Sequence, residues 1–178
     1  MKRPVALVAA ALVAVGGLLA QSQQQMPKPG AEQKRIGYFA GKWTTEGTMK
    51  ESPFGPAGKY TGTEHSEWLQ GGFFLVSHTD GKGPMGEMKG LSVLGYDREG
   101  KTYTYNAFDS MGNGESAKGT VSGDTWTWTN EGKAQGKQYK GRFTIKELPP
   151  ASYSMKWEAS IDGAPWQTLM EGKATKAK

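Results

Sequence analysis

Residue types able to do chemistry are scarce in this chain. His65 and His78 are its two histidines, and among 178 residues there is no cysteine. Thiolate nucleophiles, disulfides and cysteine-based metal sites are thereby excluded. His65 and Glu67 stand two apart, so on a strand both leave the same face. Zinc takes three or four ligands and no third lies near them, so no metal site is expected and the pair reads as an exposed polar face. His78 alternates with Phe74 and Val76. It is a group that titrates near neutrality, and it reads either as a polar anchor in a cavity or as an ordinary wall residue. Asp109, Glu115 and Glu67 are acids with no neighbouring partner in sequence. His78 with Asp109 is the acid–base couple to weigh for an enzyme.

The phosphate and nucleophile motifs fail on context. Gly81-Lys82-Gly83-Pro84-Met85-Gly86 fits G-x-G-x-x-G, but a strand and not a helix follows it, so no helix N-terminus would meet a pyrophosphate. The stretch reads as a mobile hairpin loop. Ser92, in Gly90-Leu91-Ser92-Val93-Leu94, lacks the second glycine of a nucleophile elbow. No cofactor and no catalytic residue is assigned on these motifs.

The chain opens with Met1-Lys2-Arg3, an apolar run from Val5 to Ala20, and small residues around Ala20-Gln21-Ser22. That is the pattern of a secretory signal peptide over residues 1–22, with an apolar run too short to span a bilayer. The protein is expected to be exported, periplasmic or extracellular, with no membrane span after cleavage. Net charge is +5 over the whole chain and +3 without those residues. The charges are interspersed, so no nucleic-acid partner is expected. Residues 23–33 read as a disordered lead-in, and 34–178 as one domain, with a short helix near 31–39.

From Lys42 onward the chain alternates with period two. Tyr153, Met155, Trp157, Ala159 and Ile161 share one face of the clearest strand; Ser154, Lys156, Glu158 and Ser160 share the other. Tyr139, Gly141, Phe143 and Ile145 alternate with Lys140, Arg142, Thr144 and Lys146, and Trp126, Trp128, Tyr103 and Tyr105 alternate with threonines in the same way. Glycine-rich or polar turns separate ten such runs, near 42–50, 58–69, 72–79, 88–96, 101–109, 114–121, 124–130, 137–147, 152–161 and 165–174. No interval is long enough for a parallel crossover, so the connections are hairpins. Ten antiparallel strands predict an all-β, closed up-and-down barrel, since closure removes exposed edges; a sandwich is the alternative.

Phe39-Ala40-Gly41-Lys42-Trp43 resembles the Gly-x-Trp opening of calycin (lipocalin-like) barrels. Trp68-Leu69-Gln70-Gly71-Gly72-Phe73-Phe74, Gly90-Leu91-Ser92-Val93-Leu94-Gly95-Tyr96-Asp97 and Phe108-Asp109-Ser110-Met111-Gly112 together resemble the bacterial domain-of-unknown-function family 1579, over about residues 34–174. The resemblance implies a ten-stranded lipocalin-like fold and carries no catalytic residues. It implies that Trp43 plugs the closed end with a late-strand base on it, for which Arg142 and Lys173 are the candidates. Haem-binding ten-stranded relatives hold iron with a late-strand histidine, and here no histidine follows His78.

The function expected is that of a binding protein for a small apolar or amphipathic molecule. Tyr103, Tyr105, Trp126, Trp128 and Trp157 would supply apolar area, and His78, Asp109 or Arg142 would orient a polar end. Two other readings stay open: an enzyme using His78 and Asp109 in the cup, and a cell-envelope interaction protein with a filled barrel.

Overall fold

The structure, a computed structural model, describes residues 27–177; the expected signal segment lies outside the described residues. Helix α1 (Ala31–Ile36) and a 3-10 turn (Gly37–Phe39) precede ten strands: β1 (Gly41–Met49), β2 (Gly58–Trp68), β3 (Leu75–Gly83), β4 (Gly86–Asp97), β5 (Thr102–Asp109), β6 (Gly114–Ser122), β7 (Thr125–Ala134), β8 (Lys137–Leu148), β9 (Ser152–Ile161) and β10 (Gln167–Lys176). Every strand pairs antiparallel with its sequence neighbours. β1 also pairs with β10, with Trp43 opposite Glu64 on one side and Lys176 on the other. The sheet is therefore closed, as the ten alternating runs predict.

Two segments depart from the expected boundaries. Ala31, Glu32 and Gln33, counted in the lead-in but also in the short helix expected near 31–39, form the first turn of α1. There the Gln33 Oε1 accepts the Gly30 amide at 2.8 Å and the Gln33 side chain is buried. The Gly81–Gly90 stretch, expected as a loop, is mostly ladder: Gly81 pairs with Met88 and Gly83 with Gly86, leaving only Pro84-Met85 to turn the chain. Glycine weakens a strand in isolation, but here pairing on both sides of the hairpin holds it extended.

One end of the barrel is closed by α1 and the 3-10 turn. Ile36, Phe39, Trp43, Leu75, Tyr103, Trp126, Trp128 and Tyr153 form its buried cluster. The rings meet at angles that aromatic quadrupoles favour. Phe39 lies edge-on to Trp126 at 5.2 Å and to Tyr153 at 5.7 Å, and Trp126 stacks on Trp128 at 6.1 Å. Two indoles and an acid in this base are paired. The Trp43 indole donates to the Phe39 carbonyl at 2.8 Å, the Trp126 indole donates to Glu147 at 2.7 Å, and Glu147 takes Arg35 of α1 at 2.6 Å. Trp43 plugs the closed end as expected. The base over it is Lys176, whose ammonium sits 5.3 Å from the ring centroid; Arg142 and Lys173 are elsewhere on the wall. Lys176 reaches Trp43 because they are register partners across the β1–β10 seam.

Candidate functional site: the open half of the barrel

Toward the other end the inward positions change character. Along β2 they run Ser66, Glu64, Gly62, Tyr60 and Gly58; along β9, Tyr153, Met155, Trp157, Ala159 and Ile161. Register carries these layers around the wall: Ser66 faces Ser77, Ser77 faces Ser92, and Ser92 faces Ala107, which faces Glu115. The result is a polar shelf above the aromatic base. The Ser66 hydroxyl donates to the Glu64 carboxylate at 2.8 Å and sits 2.7 Å from the Ser77 hydroxyl.

Rings stand on and above this shelf. Tyr105 is 5.9 Å from Trp128, which roofs the base. Higher up, Phe54 from the β1–β2 loop lies edge-on to Tyr139 at 4.9 Å and to Trp157 at 4.7 Å, so the loop leans over the mouth on the β8–β9 side. A tight turn in which Ser52 and Gly55 exchange amide–carbonyl bonds (3.0 and 3.1 Å) holds that loop in shape. Tyr60 lies against the wall where Gly47 and Gly172 are register partners; a Cβ on either glycine would collide with the ring. Those glycines are the space the ring occupies.

Electrostatics mark the same region. Burial pushes the Glu64 carboxyl above the usual carboxylate range, more than its bonds with Ser66 and Ser77 pull it down. Glu115, whose carboxylate accepts from the Asn130 amide at 3.3 Å, is raised by burial and by Asp109. Tyr105 is raised by burial first, then by the Glu115 and Glu64 carboxylates. Tyr60 is pushed up to about 12 by burial, and its hydroxyl is buried with no hydrogen-bond partner among the described residues. Buried polar atoms are rarely left unpaired. Glu64 and Tyr105 are enclosed by protein and yet keep some accessible surface.

The sequence-predicted residues fall into three places. Tyr105 and Trp157 line the open half. Tyr103, Trp126 and Trp128 are 6, 0 and 5% exposed and packed into the base. The remaining three do not join them. His78 is exposed on the outer face of β3, opposite His65, because Leu75 and Ser77 take the inward positions. Arg142 is also on the outer wall, bonded to Glu158 at 3.0 Å and stacked on Trp166 at 4.7 Å. Asp109 is inward in parity but its carboxylate organises the β5–β6 turn, accepting the Met111 and Asn113 amides at 2.9 Å each and the Asn113 side chain at 2.9 Å. Burial raises this carboxyl and those bonds outweigh it, so it lies below the usual range. His78 and Asp109 are thus on opposite faces of the sheet and form no couple.

Tyr60, Glu64, Tyr139 and Phe54 were not marked by sequence reasoning. The available signal was the β2 alternation, in which Gly58, Tyr60, Gly62, Glu64 and Ser66 oppose Lys59, Thr61, Thr63, His65 and Glu67. The second set is uniformly polar, so the first must face inward, acid included. Two clefts also mark the outer wall. One, about 640 Å³, includes Thr44, Thr61, Thr63, Asp80 and Lys173; the other, about 250 Å³, lies beside Trp166.

A closed ten-stranded antiparallel barrel, helix-plugged and aromatic at one end and acid-bearing in its open half, is the class of protein these features define. Residues 28–176 match the family described as "Protein of unknown function (DUF1579)", and the chain belongs to it. Among solved structures it is similar to the crystal structure of Rv2717c from M. tuberculosis, at 13% identity and a TM-score of 0.60, over 84% of this chain and 99% of that one. At that identity the likeness shows the fold. None of the curated proteins matches.

Proposed function

We propose that this protein is an exported binding protein that holds a small, partly apolar molecule in the open half of its barrel. The observation that supports the reading is a set of inward aromatic side chains above the base, Tyr139 and Trp157 under Phe54 on one side and Tyr105 beside Trp128 on another, each only half-buried. Concave, largely aromatic sites with a few fixed polar groups are what small-molecule binding requires. Export rests on the basic start and apolar run of residues 1–22.

The test uses N-phenyl-1-naphthylamine, a neutral dye that brightens out of water. Saturable brightening is expected with the purified protein. It should be abolished by Ala107→Trp, which places a large ring in the inward row beside Ser92 and Glu115, provided circular dichroism shows the variant folded. No brightening, or brightening that the folded variant retains, overturns the reading.

A further inference from the structure

The charges of the open half are one-sided. Above the base, the inward-facing acids among the described residues are Glu64 and Glu115, with Asp109 at the rim occupied by its own turn. The strand lysines Lys59, Lys82, Lys89, Lys118 and Lys140 occupy outward positions, and Lys137, inward in parity, is exposed at the rim where β8 begins. The inward lysine Lys176 is at the closed end on Trp43, and Arg35 is spent on Glu147 beneath the base. Below that rim, an anionic guest would meet two carboxylates and, among the described residues, no inward cation short of Lys176 at the closed end. Leaving a charge unpaired in a desolvated site is costly.

A cationic guest meets the opposite situation. The Glu64 carboxylate accepts from Ser66, and Glu115 accepts from the neutral Asn130 amide, which leaves lone pairs on both. The Tyr60 hydroxyl is buried without a partner. Faces of Tyr105 and Trp157 suit an ammonium as well as an apolar body.

We infer that the barrel selects an amphipathic amine over the corresponding carboxylate, with its nitrogen received by Glu64 and Glu115 and its apolar part among Tyr105, Tyr139 and Trp157. The inference rests on the binding reading above and specifies its ligand class. It runs against the overall charge of +5, which by itself draws anions to the surface. A preference for amines therefore reports the interior.

The experiment displaces bound N-phenyl-1-naphthylamine with three ligands of matched shape: 4-phenylbutylamine, 4-phenyl-1-butanol and 4-phenylbutyrate, at one ionic strength. The amine is expected to displace at a concentration on the order of tenfold below the carboxylate, with the alcohol between them. Glu64→Gln and Glu115→Gln should each narrow that gap. Equal displacement by all three, or better displacement by the carboxylate, overturns the amine preference while the bound dye keeps the binding reading standing. A dye that does not bind at all overturns both. The wild-type ranking decides the sign even where a variant fails to fold.

Discussion

At the helix end of the barrel Phe39, Trp43, Trp126 and Tyr153 touch ring to ring, and the Trp43 and Trp126 indoles both have hydrogen-bond partners. At the loop end Tyr105, Tyr139 and Trp157 belong to the same side-chain classes. Besides Phe54 and Trp128, their neighbours there are glycines, an unpaired Tyr60 hydroxyl and two carboxyls lifted by burial. Aromatic side chains bury the most area per residue, so a chain with few aliphatic residues uses them for both tasks. What separates the tasks is the company each ring keeps. Where ring meets ring and α1 covers the end, the rings are buried. Where rings also face glycine and acid, they stay half-buried.

The strongest way to break this contrast is to remove one tryptophan from each half. Trp126→Ala should cost about 3–5 kcal/mol, because it opens a cavity in the packed base and strips Glu147 of a donor. Trp157→Ala should cost about 2 kcal/mol, since its ring already borders accessible space and less contact is lost. Urea denaturation of both variants checks the order. Equal losses would mean that the two halves are packed alike.

A smaller effect sharpens the electrostatic half of the contrast. Burial raises the Glu64 carboxyl, whereas in the unfolded chain it ionises at its ordinary value. Below that value the group is protonated in both states. As pH rises the unfolded chain releases its proton first, so the wild type loses stability relative to Glu64→Gln until the folded carboxyl ionises as well. The advantage of the glutamine variant should therefore be larger at about pH 7 than at about pH 4, growing until the folded carboxyl ionises. Urea midpoints at both pH values measure it. An advantage that shrinks with rising pH would place Glu64 in a stabilising ion pair.

The smallest effect belongs to His78. On the outer face, His78→Ala should change stability by less than about 0.5 kcal/mol and leave dye binding unaltered. A loss of binding would move the site to the outer wall.

Much of the wall was legible in the sequence, because period-two alternation and glycine turns are local signals. All ten strands follow from it, β1, β8 and β9 to within a residue of their ends. Three things were not legible, each for its own reason. The hairpin arms through Gly81–Gly90 lack the bulky residues that announce a strand, and only cross-strand pairing reveals them. The face of His78 was ambiguous because Leu75 and Val76 are both apolar. The structure resolves it by burying Ser77, whose hydroxyl finds Ser66 across the ladder. Alternation also gives a residue's face but not its height along the barrel axis. Trp126 and Trp157 therefore read as one set until ring contacts separate them, Trp126 against Phe39 in the base and Trp157 against Phe54 of the β1–β2 loop. Glu64 escaped notice because a carboxylate on the inward face contradicts the expectation of polar residues outside. Such local contradictions tend to occur where a protein functions.

The account turns on whether a guest occupies the loop half of the barrel and leaves the helix half alone. Intermolecular NOEs between bound N-phenyl-1-naphthylamine and the side chains of the labelled protein test this directly. The expected contacts are to Tyr105, Tyr139 and Trp157, with none to Trp126 or Trp43. Contacts confined to outer-face residues such as Leu91, Phe108 or Trp166, which are exposed, would contradict it.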